Sequence, residues 1–442
     1  MAPPVFPAAR DNEMSDFKLS AQLLGHEQDV GLPSLNVNVL SRSNPRLQVR
    51  SVRFPDAEIV LTASRDNTVR IWRRTAPSPP TFDDKIVTQG SEFINSLAFL
   101  PPSSEHKEGL VVSGARDGII DVRLPGSDPS HDSFRMLIGH SNNVCTLDIS
   151  PDSKHIVSGG WDGQARVWSV ATWETELLLE GHGSGGANEH SSIWDVLAYD
   201  EKTVITGCAD HMIRGYDLRR AEGGVVQPSL TVATPDIVRA LCRLPANHPS
   251  GAEIASAGND GVIRLWKLSG QQVAELHGHE SFIYSLDCLP SGEIVSSGED
   301  RTVRIWKNRE CVQTITHPAI SVWAVAVCRD TGDIVSGASD RIARIFTRSP
   351  ERVADAEKLS QFDESVRSSA IPQQQMPAIN KEKLLRRADL SSKSGSKDGQ
   401  TIMVLEDDGS VSAHQWSLST PSSSLTPIGN TNLRLQMVKS GS

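Results

Sequence analysis

A single arrangement of apolar and polar residues recurs along this chain. In one copy, an apolar run at Ile294–Ser297 is followed by polar turn residues at Gly298–Arg301. The residues after the turn, Thr302–Trp306, alternate between polar and apolar side chains. Short apolar runs and a period of two are typical of β-strands, and glycine with charged residues between them is typical of a turn. This stretch therefore predicts two strands joined by a tight turn.

The arrangement is found seven times when the copies are aligned on the aspartate of the turn. The seven aspartates are Asp66, Asp117, Asp162, Asp210, Asp260, Asp300 and Asp340. A hydroxyl residue lies four positions before each of them, and in six copies an aromatic residue lies six positions after it. The tryptophans at that second position are Trp72, Trp168, Trp266 and Trp306, whereas the second copy has Arg123. The copies are 40 to 51 residues apart, which predicts an all-β, seven-bladed WD-repeat propeller.

Four of the copies are preceded by a Gly-His pair that ends at His26, His140, His182 or His279. Histidine, hydroxyl, aspartate and indole can hydrogen-bond in series inside one blade, and a buried aspartate needs such partners. We therefore interpret all of these residues as structural. A catalytic Ser-His-Asp triad would use the same residue types, but the recurrence of the set in successive blades favours a scaffold.

Two segments before the first complete repeat have different expected roles. Residues 1–13 are rich in proline and alanine and are expected to be disordered. Phe17–Leu24 alternates like a strand, although it precedes the first Gly-His pair. An unpaired edge in the last blade would leave the ring open, so we predict that this strand completes that blade beside Phe346.

The first repeat is unusually long between its histidine and its aspartate. This separation is 40 residues from His26 to Asp66, compared with 22 in the third repeat and 21 in the sixth. Removing Val30–Gln48 restores a separation of 21. That segment begins with valine and ends with glutamine, whose codons can carry the GT and CAG borders of an intron. We interpret residues 30–48 as a non-native insert, and a genuine surface loop is the alternative.

The composition changes after the last repeat, so we place the propeller at residues 14–348. Residues 349–396 are expected to form a linker, in which Glu351–Arg367 has apolar residues near helical spacing. Residues 397–442 contain the pattern of a β-hairpin that turns at Asp407–Gly409. One hairpin is too small to fold alone, so an incomplete domain in a mostly disordered tail is expected here.

Composition argues against several classes of protein. The formal net charge of −10 is unlike that of a nucleic-acid-binding domain, and no apolar run has the length of a membrane span. The six cysteines form no Cys-x-x-Cys pair, which argues against a zinc or disulfide framework. Gly181, Gly183 and Gly186 match Gly-x-Gly-x-x-Gly, but no helix follows, so a flexible loop is favoured over a phosphate site. We expect no catalytic residues, no cofactor and no metal ion.

Three segments of the chain resemble the phospholipase A2-activating protein family, which includes fungal ubiquitin-degradation proteins. They are Leu23–Asp29, the last blade at Ser321–Thr347, and Asp398–Ser417. The third segment makes the resemblance specific because ordinary WD proteins lack it. The resemblance implies a seven-bladed propeller that binds ubiquitin, then a ubiquitin-binding PFU domain and a helical PUL domain that docks on an AAA ATPase segregase.

This sequence departs from that family pattern at its end. On this resemblance, we expect the sequence given to end within the first strands of the PFU domain, at residue 442, before any PUL segment. The resemblance therefore implies ubiquitin or ubiquitinated proteins as partners, and the segregase only for a longer form with a PUL domain. We expect a non-catalytic adaptor in ubiquitin-dependent degradation and ubiquitin recycling, located in the cytoplasm and nucleus, with no nucleic-acid or membrane partner.

Two kinds of position are expected to line the partner-binding face: the residue before each turn aspartate, and the residues that flank the first apolar residue of each innermost strand. The candidates are Arg65, Phe93, Asn95, Arg116, Trp161, Trp194, Arg239, Asn259, Phe282, Tyr284, Glu299 and Trp323. Aromatic residues ringed by arginine and asparagine are typical of binding hot spots. Two alternatives stay open: that some rings only plug the central channel, and that the face is a WD scaffold whose Arg65, Arg116 and Arg239 anchor a peptide or phosphopeptide.

Overall fold

The structure is a computed structural model that describes residues 16–26, 48–129, 133–182 and 192–369, together with the backbone of three strands between residues 400 and 431. The first four ranges form seven antiparallel sheets, or blades. Each innermost strand packs against that of the next blade, and the last packs against the first. The expected seven-bladed β-propeller is therefore confirmed.

The N-terminal strand is β1 (Lys18–Leu24). Blade 1 contains β2 (Val49–Asp56), β3 (Ile59–Ser64), β4 (Thr68–Pro77) and β5 (Pro80–Gln89). Blade 2 contains β6 (Ile94–Leu100), β7 (Leu110–Ala115), β8 (Ile119–Arg123) and β9 (Arg135–Ile138). Blade 3 contains β10 (Val144–Ile149), β11 (His155–Gly160), β12 (Ala165–Ser169) and β13 (Thr175–Leu179). Blade 4 contains β14 (Ile193–Ala198), β15 (Thr203–Cys208), β16 (Met212–Asp217) and β18 (Leu230–Ala233).

The remaining blades follow the same order from the innermost strand outward. Blade 5 contains β19 (Val238–Arg243), β20 (Ile254–Gly258), β21 (Val262–Trp266) and β22 (Gln272–His277). Blade 6 contains β23 (Ile283–Cys288), β24 (Ile294–Gly298), β25 (Thr302–Lys307) and β26 (Glu310–Thr316). Blade 7 contains β27 (Val322–Val327), β28 (Ile334–Ala338) and β29 (Ile342–Thr347). A two-residue strand, β17 (Val225–Val226), leaves the sequence of blade 4 and pairs in parallel with β13 of blade 3.

The ring is closed by the N-terminal strand, as the sequence predicted. Strand β1 pairs antiparallel with β29, and Leu19 lies opposite Phe346. Leu19 and Leu23 are 3% and 2% exposed, so this strand contributes apolar side chains to the core of blade 7 as well as backbone pairing. The expected insert at residues 30–48 lies outside the described residues except for Gln48, whose carbonyl accepts the N–H of Arg65 at 3.0 Å. Residues 1–13 also lie outside them.

Blades 1, 3 and 6 contain the full chain of histidine, hydroxyl, aspartate and indole. In blade 6, His279 Nδ1 lies 2.7 Å from Asp300, and its Nε2 lies 2.7 Å from Ser296 Oγ, which also accepts the Trp306 indole N–H at 2.8 Å. Blades 1 and 3 repeat these bonds with His26 and His140. Burial alone would raise the pKa of Asp300, but its hydrogen bonds, led by that from His279, hold this pKa below the usual value.

An arginine replaces the histidine as the partner of the turn aspartate in three other blades. The arginine four residues after the aspartate approaches it to 2.6 Å in the pairs Asp210–Arg214, Asp260–Arg264 and Asp340–Arg344. In blade 4, His182 bonds Thr206 and Tyr216 instead of the aspartate. A histidine without a Gly-His pair, His317, bonds Ser336 at 2.8 Å in blade 7. These three aspartates are thus ion-paired with an arginine and not with a histidine.

Blade 2 departs from the expected structural network. Asp117 is exposed, and its carboxylate accepts the N–H of Ile119. Arg123, at the aromatic position, is 8% exposed and bonds Asp121 at 2.8 Å. Asp117 is therefore a turn residue and not a buried member of a network. The reason is chemical: with neither a histidine nor an arginine partner, an ionised carboxylate is more stable in water.

The segment after the last blade packs on the propeller, which corrects its assignment to a linker. One turn of 3-10 helix, Pro350–Arg352, precedes α1 (Ala356–Ser369). The ring of Phe362 is 8% exposed and lies 6.0 Å from that of Phe346. Ser369 accepts hydrogen bonds from Arg301 of blade 6 through its carbonyl and its hydroxyl. The compact unit therefore extends to residue 370. Although α1 is mostly charged, the narrow apolar stripe formed by Leu359, Phe362 and Val366 is enough to dock it on the propeller.

The C-terminal unit, residues 371–442, contains three described strands. β30 (Gln400–Leu405) pairs antiparallel with β31 (Val411–Trp416), which confirms the expected hairpin pairing, although its turn lies outside the described residues. A further strand, β32 (Thr426–Thr431), pairs with β31. The sequence does not predict this strand, because its serine-, threonine- and proline-rich surroundings have no alternation of apolar residues. Backbone pairing with β31 does not require such an alternation.

Truncation of the Trp306 side chain tests the structural role of the networks of histidine, hydroxyl, aspartate and indole. We expect Trp306→Ala to lower the free energy of unfolding by roughly 3–5 kcal/mol, because it empties the site of a large buried ring. Trp306→Phe should cost less, since it keeps most of the apolar volume and loses the bond to Ser296. Urea unfolding followed by circular dichroism measures both. Equal losses for the two variants would show that ring volume does not stabilise the blade.

Buried His317 should make stability depend on pH. Burial, reinforced by Arg344, lowers its pKa to about 3, whereas the unfolded value is about 6.5. Between these values the unfolded chain binds a proton that the folded chain does not, so this histidine lowers stability as the pH falls. Burial raises the pKa of Asp195 to about 6, so this carboxyl raises stability as the pH falls. The contribution of His317 is therefore isolated by comparing a variant without this histidine with the wild type.

We therefore expect His317→Gln to lose less unfolding free energy than the wild type when the pH falls from 7 to 4.5. Urea titrations at both pH values give the two differences. The exposed His277 provides a control, because His277→Gln should keep the wild-type difference. A wild-type difference in the His317 variant would contradict the assignment.

Candidate partner-binding face

The turn residues and the starts of the innermost strands lie side by side on one face of the propeller, called the upper face below. In each blade, the residue before the turn aspartate donates its backbone N–H to a carbonyl at the entrance of the innermost strand. Examples are Trp161 to Asn143 and Glu299 to Phe282, both at 2.9 Å. The two kinds of position selected from the sequence are thus brought together by backbone hydrogen bonds.

Each innermost strand carries a β-bulge at its second residue. In blade 4, for example, the pairing register shifts between Ile193 and Asp195, and the other six blades show the same shift. A bulged residue is left out of the strand ladder, and its side chain is turned in a new direction. The seven bulged residues, called the bulge ring below, are Arg50, Asn95, Cys145, Trp194, Arg239, Tyr284 and Trp323.

All members of the bulge ring line a central channel of about 630 Å³. Further along the channel lie buried carboxylates that bond the next blade. Asp195 accepts the N–H of Leu241 at 2.7 Å, and Asp148 accepts that of Ala198 at 2.8 Å. The bulges therefore place variable side chains at the channel entrance, while these aspartates join neighbouring blades deeper inside.

Aromatic rings and one arginine form a continuous group across blades 3, 4 and 5. The rings of Trp161 and Trp194 meet edge to face with centroids 5.8 Å apart. The guanidinium of Arg239 lies 4.2 Å from the centroid of the Trp194 ring. Arg239 also donates a hydrogen bond to Asn259, which fixes its position. Cation–π contacts of this kind hold the charged group above the ring.

The group continues through blades 6, 7 and 1. Tyr284 and Trp323 are stacked, with centroids 4.2 Å apart and planes at 24°. Arg239 lies 5.6 Å from the Tyr284 ring, and Arg50 lies 3.8 Å from the Trp323 ring. Phe282 meets Tyr284 at 6.5 Å. Together, these residues and those of the preceding paragraph form a band that runs around the channel entrance.

Other predicted residues lie outside this band. Arg65 and Arg116 both approach Phe93, at 5.7 and 5.8 Å, and form a separate cluster between blades 1 and 2. Asn95 is 8% exposed and bonds Asn143 at 2.8 Å, which makes it a structural residue. The carboxylate of Glu299 is exposed at the rim and accepts a bond from Ser281.

The tryptophans of the upper face differ from those of the blades in their hydrogen bonding. The indole N–H groups of Trp72, Trp168, Trp266 and Trp306 each donate to a hydroxyl at 2.8 Å. Those of Trp161, Trp194 and Trp323 are shielded from solvent and have no partner among the described residues. One alternative was that some of these rings only plug the central channel. Trp194 and Trp323 do line the channel, but both remain partly exposed.

Two residues of this face were not among the sequence candidates. Arg50 matches the corresponding position of blade 1 only when residues 30–48 are removed, and it occupies the bulge of that blade. Ile320 is 77% exposed beside the start of β27, and its backbone N–H bonds Ser339. Ile320 lies in a loop, and nothing in the sequence indicated that this apolar side chain would be exposed.

The entrance is electropositive. Burial, together with the charges of Arg65 and Arg239, lowers the pKa of Arg50 to about 9. Burial also lowers the pKa of Arg65 and of Arg239. Glu299 lies close enough to Arg239 to oppose that shift, but forms no ion pair with it among the described residues. Burial raises the pKa of Tyr284 to about 12, so its phenol remains neutral.

Metal or nucleophilic chemistry has little support on this face. Within the described ranges, no group of three His, Cys, Asp or Glu side chains is arranged to hold a metal ion. Burial raises the pKa of the Cys145 thiol, which favours its unreactive protonated form. Over the same ranges, the helices found are too short or too polar to cross a membrane.

The family model described as "WD domain, G-beta repeat" matches residues 37–73, 132–169, 227–267 and 270–307. With the seven closed blades, these matches define a WD-repeat propeller protein. The crystal structure of the WD40 β-propeller domain of Doa1 is 32% identical, with a TM-score of 0.63, and the comparison covers 77% of this chain and 100% of that one. The chain belongs to the WD-repeat family that includes Doa1 and phospholipase A-2-activating protein.

Longer relatives match over much of the chain. The ubiquitin homeostasis protein lub1 of Schizosaccharomyces pombe is 36% identical over 407 residues, which is 91% of this chain and 49% of that protein. Protein DOA1 of Saccharomyces cerevisiae is 32% identical over 283 residues, or 62% of this chain and 32% of that protein. The chain thus spans half or less of the length of these relatives.

Proposed function

We propose that this protein is a non-catalytic adaptor that binds ubiquitin on its upper face and acts in ubiquitin-dependent degradation and ubiquitin recycling. The observation that carries the proposal is the continuous band from Trp161 to Trp323 around the channel entrance. The names of relatives support it: one is a ubiquitin homeostasis protein, and another is the ubiquitin fusion degradation protein 3 homolog of Caenorhabditis elegans, 27% identical over 240 residues.

The chemistry of the upper face suits such a ligand. The docking patch of ubiquitin is apolar with basic neighbours. Phe282 and the exposed Ile320 offer apolar surface, and the exposed carboxylate of Glu299 offers a partner for a basic neighbour. Rigid aromatic anchors lose little conformational entropy on binding, and Trp161 and Trp323 are already held by ring contacts.

The internal geometry supports a scaffold role. In blade 3, the hydroxyl of Ser158 already accepts the Trp168 indole N–H and bonds His140. Ser158 has no exposed surface, so a substrate cannot reach this Ser-His-Asp set. The same holds for Thr62 and Ser296. For a longer form of the chain with a PUL domain, we also propose docking on the segregase, and a location in the cytoplasm and nucleus.

Replacement of the anchor tryptophans tests the ubiquitin-binding face. We expect Trp323→Ala and Trp161→Ala to weaken ubiquitin binding by roughly 1–3 kcal/mol each while the protein stays folded, as is typical of aromatic hot spots. Isothermal titration with monomeric ubiquitin measures the affinity, and circular dichroism checks the fold. The physical reason is loss of a pre-positioned apolar surface.

A tryptophan on the opposite side of a blade provides a matched control. Trp173 follows β12 and packs against Phe134, away from the upper face. Trp173→Ala should therefore bind ubiquitin with wild-type affinity. Unchanged affinity in both face variants would refute the site, and equal weakening in all three variants would show a general loss of structure.

A further inference from the structure

Hydrogen-bond donors without acceptors are concentrated at the channel entrance. Nη1 of Arg50, Nε of Arg65 and the indole nitrogens of Trp194 and Trp323 are all shielded from solvent and have no partner among the described residues. Most buried polar groups in proteins are hydrogen-bonded, so several unsatisfied donors in one place call for an explanation. An acceptor-rich ligand would satisfy them.

Several arginines of the upper face also lack counter-charges. None of the described carboxylates forms an ion pair with Arg50, Arg65, Arg116 or Arg239, although Glu299 and Asp236 lie near Arg239. By contrast, the blade arginines Arg214, Arg264 and Arg344 each approach an aspartate to 2.6 Å. Burial first, and then the charges of Arg65 and Arg239, disfavour the charged form of Arg50, so an anion placed beside Arg50 would stabilise it.

The geometry leaves the arginines able to bind. Arg50 lies over Trp323 and Arg239 over Trp194, so the indole faces support the two guanidinium groups. A guanidinium directs its N–H groups outward in its own plane and can bind a carboxylate or phosphate through two of them. Both residues line the channel, which has room for a side chain and the adjoining backbone.

We propose that the channel entrance is a binding site for an anionic group, a carboxylate or a phosphate, presented by an extended peptide segment and held by Arg50 and Arg239. The stacked indoles of Trp323 and Trp194 position the two guanidinium groups, and Tyr284 borders the site between blades 5 and 7. This site goes beyond ubiquitin binding and does not depend on it, because its ligand is recognised by charge.

Peptide pools of controlled charge test the site. The probes are fluorescein-labelled octapeptide pools with randomised flanks and a fixed central residue, either glutamate, phosphoserine or glutamine. Fluorescence anisotropy with the full chain should show binding of at least one anionic pool about tenfold or more tighter than the glutamine pool, which corresponds to about 1.4 kcal/mol. Glutamate alone would identify a carboxylate ligand, and phosphoserine alone a phosphate ligand.

Arg50→Gln should abolish the preference for the anionic pools. Arg243 is the matched control: it is exposed, lines the same channel and lies over Tyr199, and Arg243→Gln should keep the preference. Equal binding of all three pools, or equal loss in both variants, would overturn the proposal. Titration of the same variants with ubiquitin separates ubiquitin binding from binding of the anionic group. A negative result for one ligand does not change the interpretation of the result for the other.

Discussion

A hydroxyl group in the second strand of a blade ties together the segments around it. In blade 1, Thr62 accepts the indole N–H of Trp72 from the third strand and lies 2.7 Å from Nε2 of His26. Since Asp66 can only accept, His26 donates to it through Nδ1 and accepts from Thr62 through Nε2. One small side chain thus satisfies two large buried polar groups, and the side chain of Arg65, which precedes Asp66, takes no part in this network.

The fold could be predicted because its determinants are local and repeated. The spacing of hydroxyl, aspartate and aromatic residue identified all seven blades, and the alternation in Phe17–Leu24 identified the strand that closes the ring. The choice of partner for each aspartate was harder to predict. Asp340 pairs with Arg344, and His317 bonds Ser336 without a preceding glycine, because several side chains can reach the same buried group. Asp117 pairs with neither a histidine nor an arginine, and its carboxylate is exposed to water.

The candidate site could be predicted less completely, since it depends on contacts between blades. Trp194, Tyr284 and Trp323, which sequence position grouped together, line the channel. Sequence position could not show that Arg239 links the rings of blades 4 and 6. Arg50 was not among the candidates because it matches the other bulge positions only after residues 30–48 are removed. The docking of α1 was also unforeseen, because its apolar residues are few and its groove is formed by strands distant in sequence.

The bulge at the second residue of each innermost strand has a consequence for how this surface can change. A bulged residue contributes no rung to the ladder, so its replacement alters the entrance of the channel without disturbing the pairing of the strand. This freedom applies to the backbone, because the side chains of Arg50, Trp194, Arg239, Tyr284 and Trp323 also contact one another. A propeller built in this way can acquire a new ligand through substitutions at the channel entrance that leave the strand pairing in place.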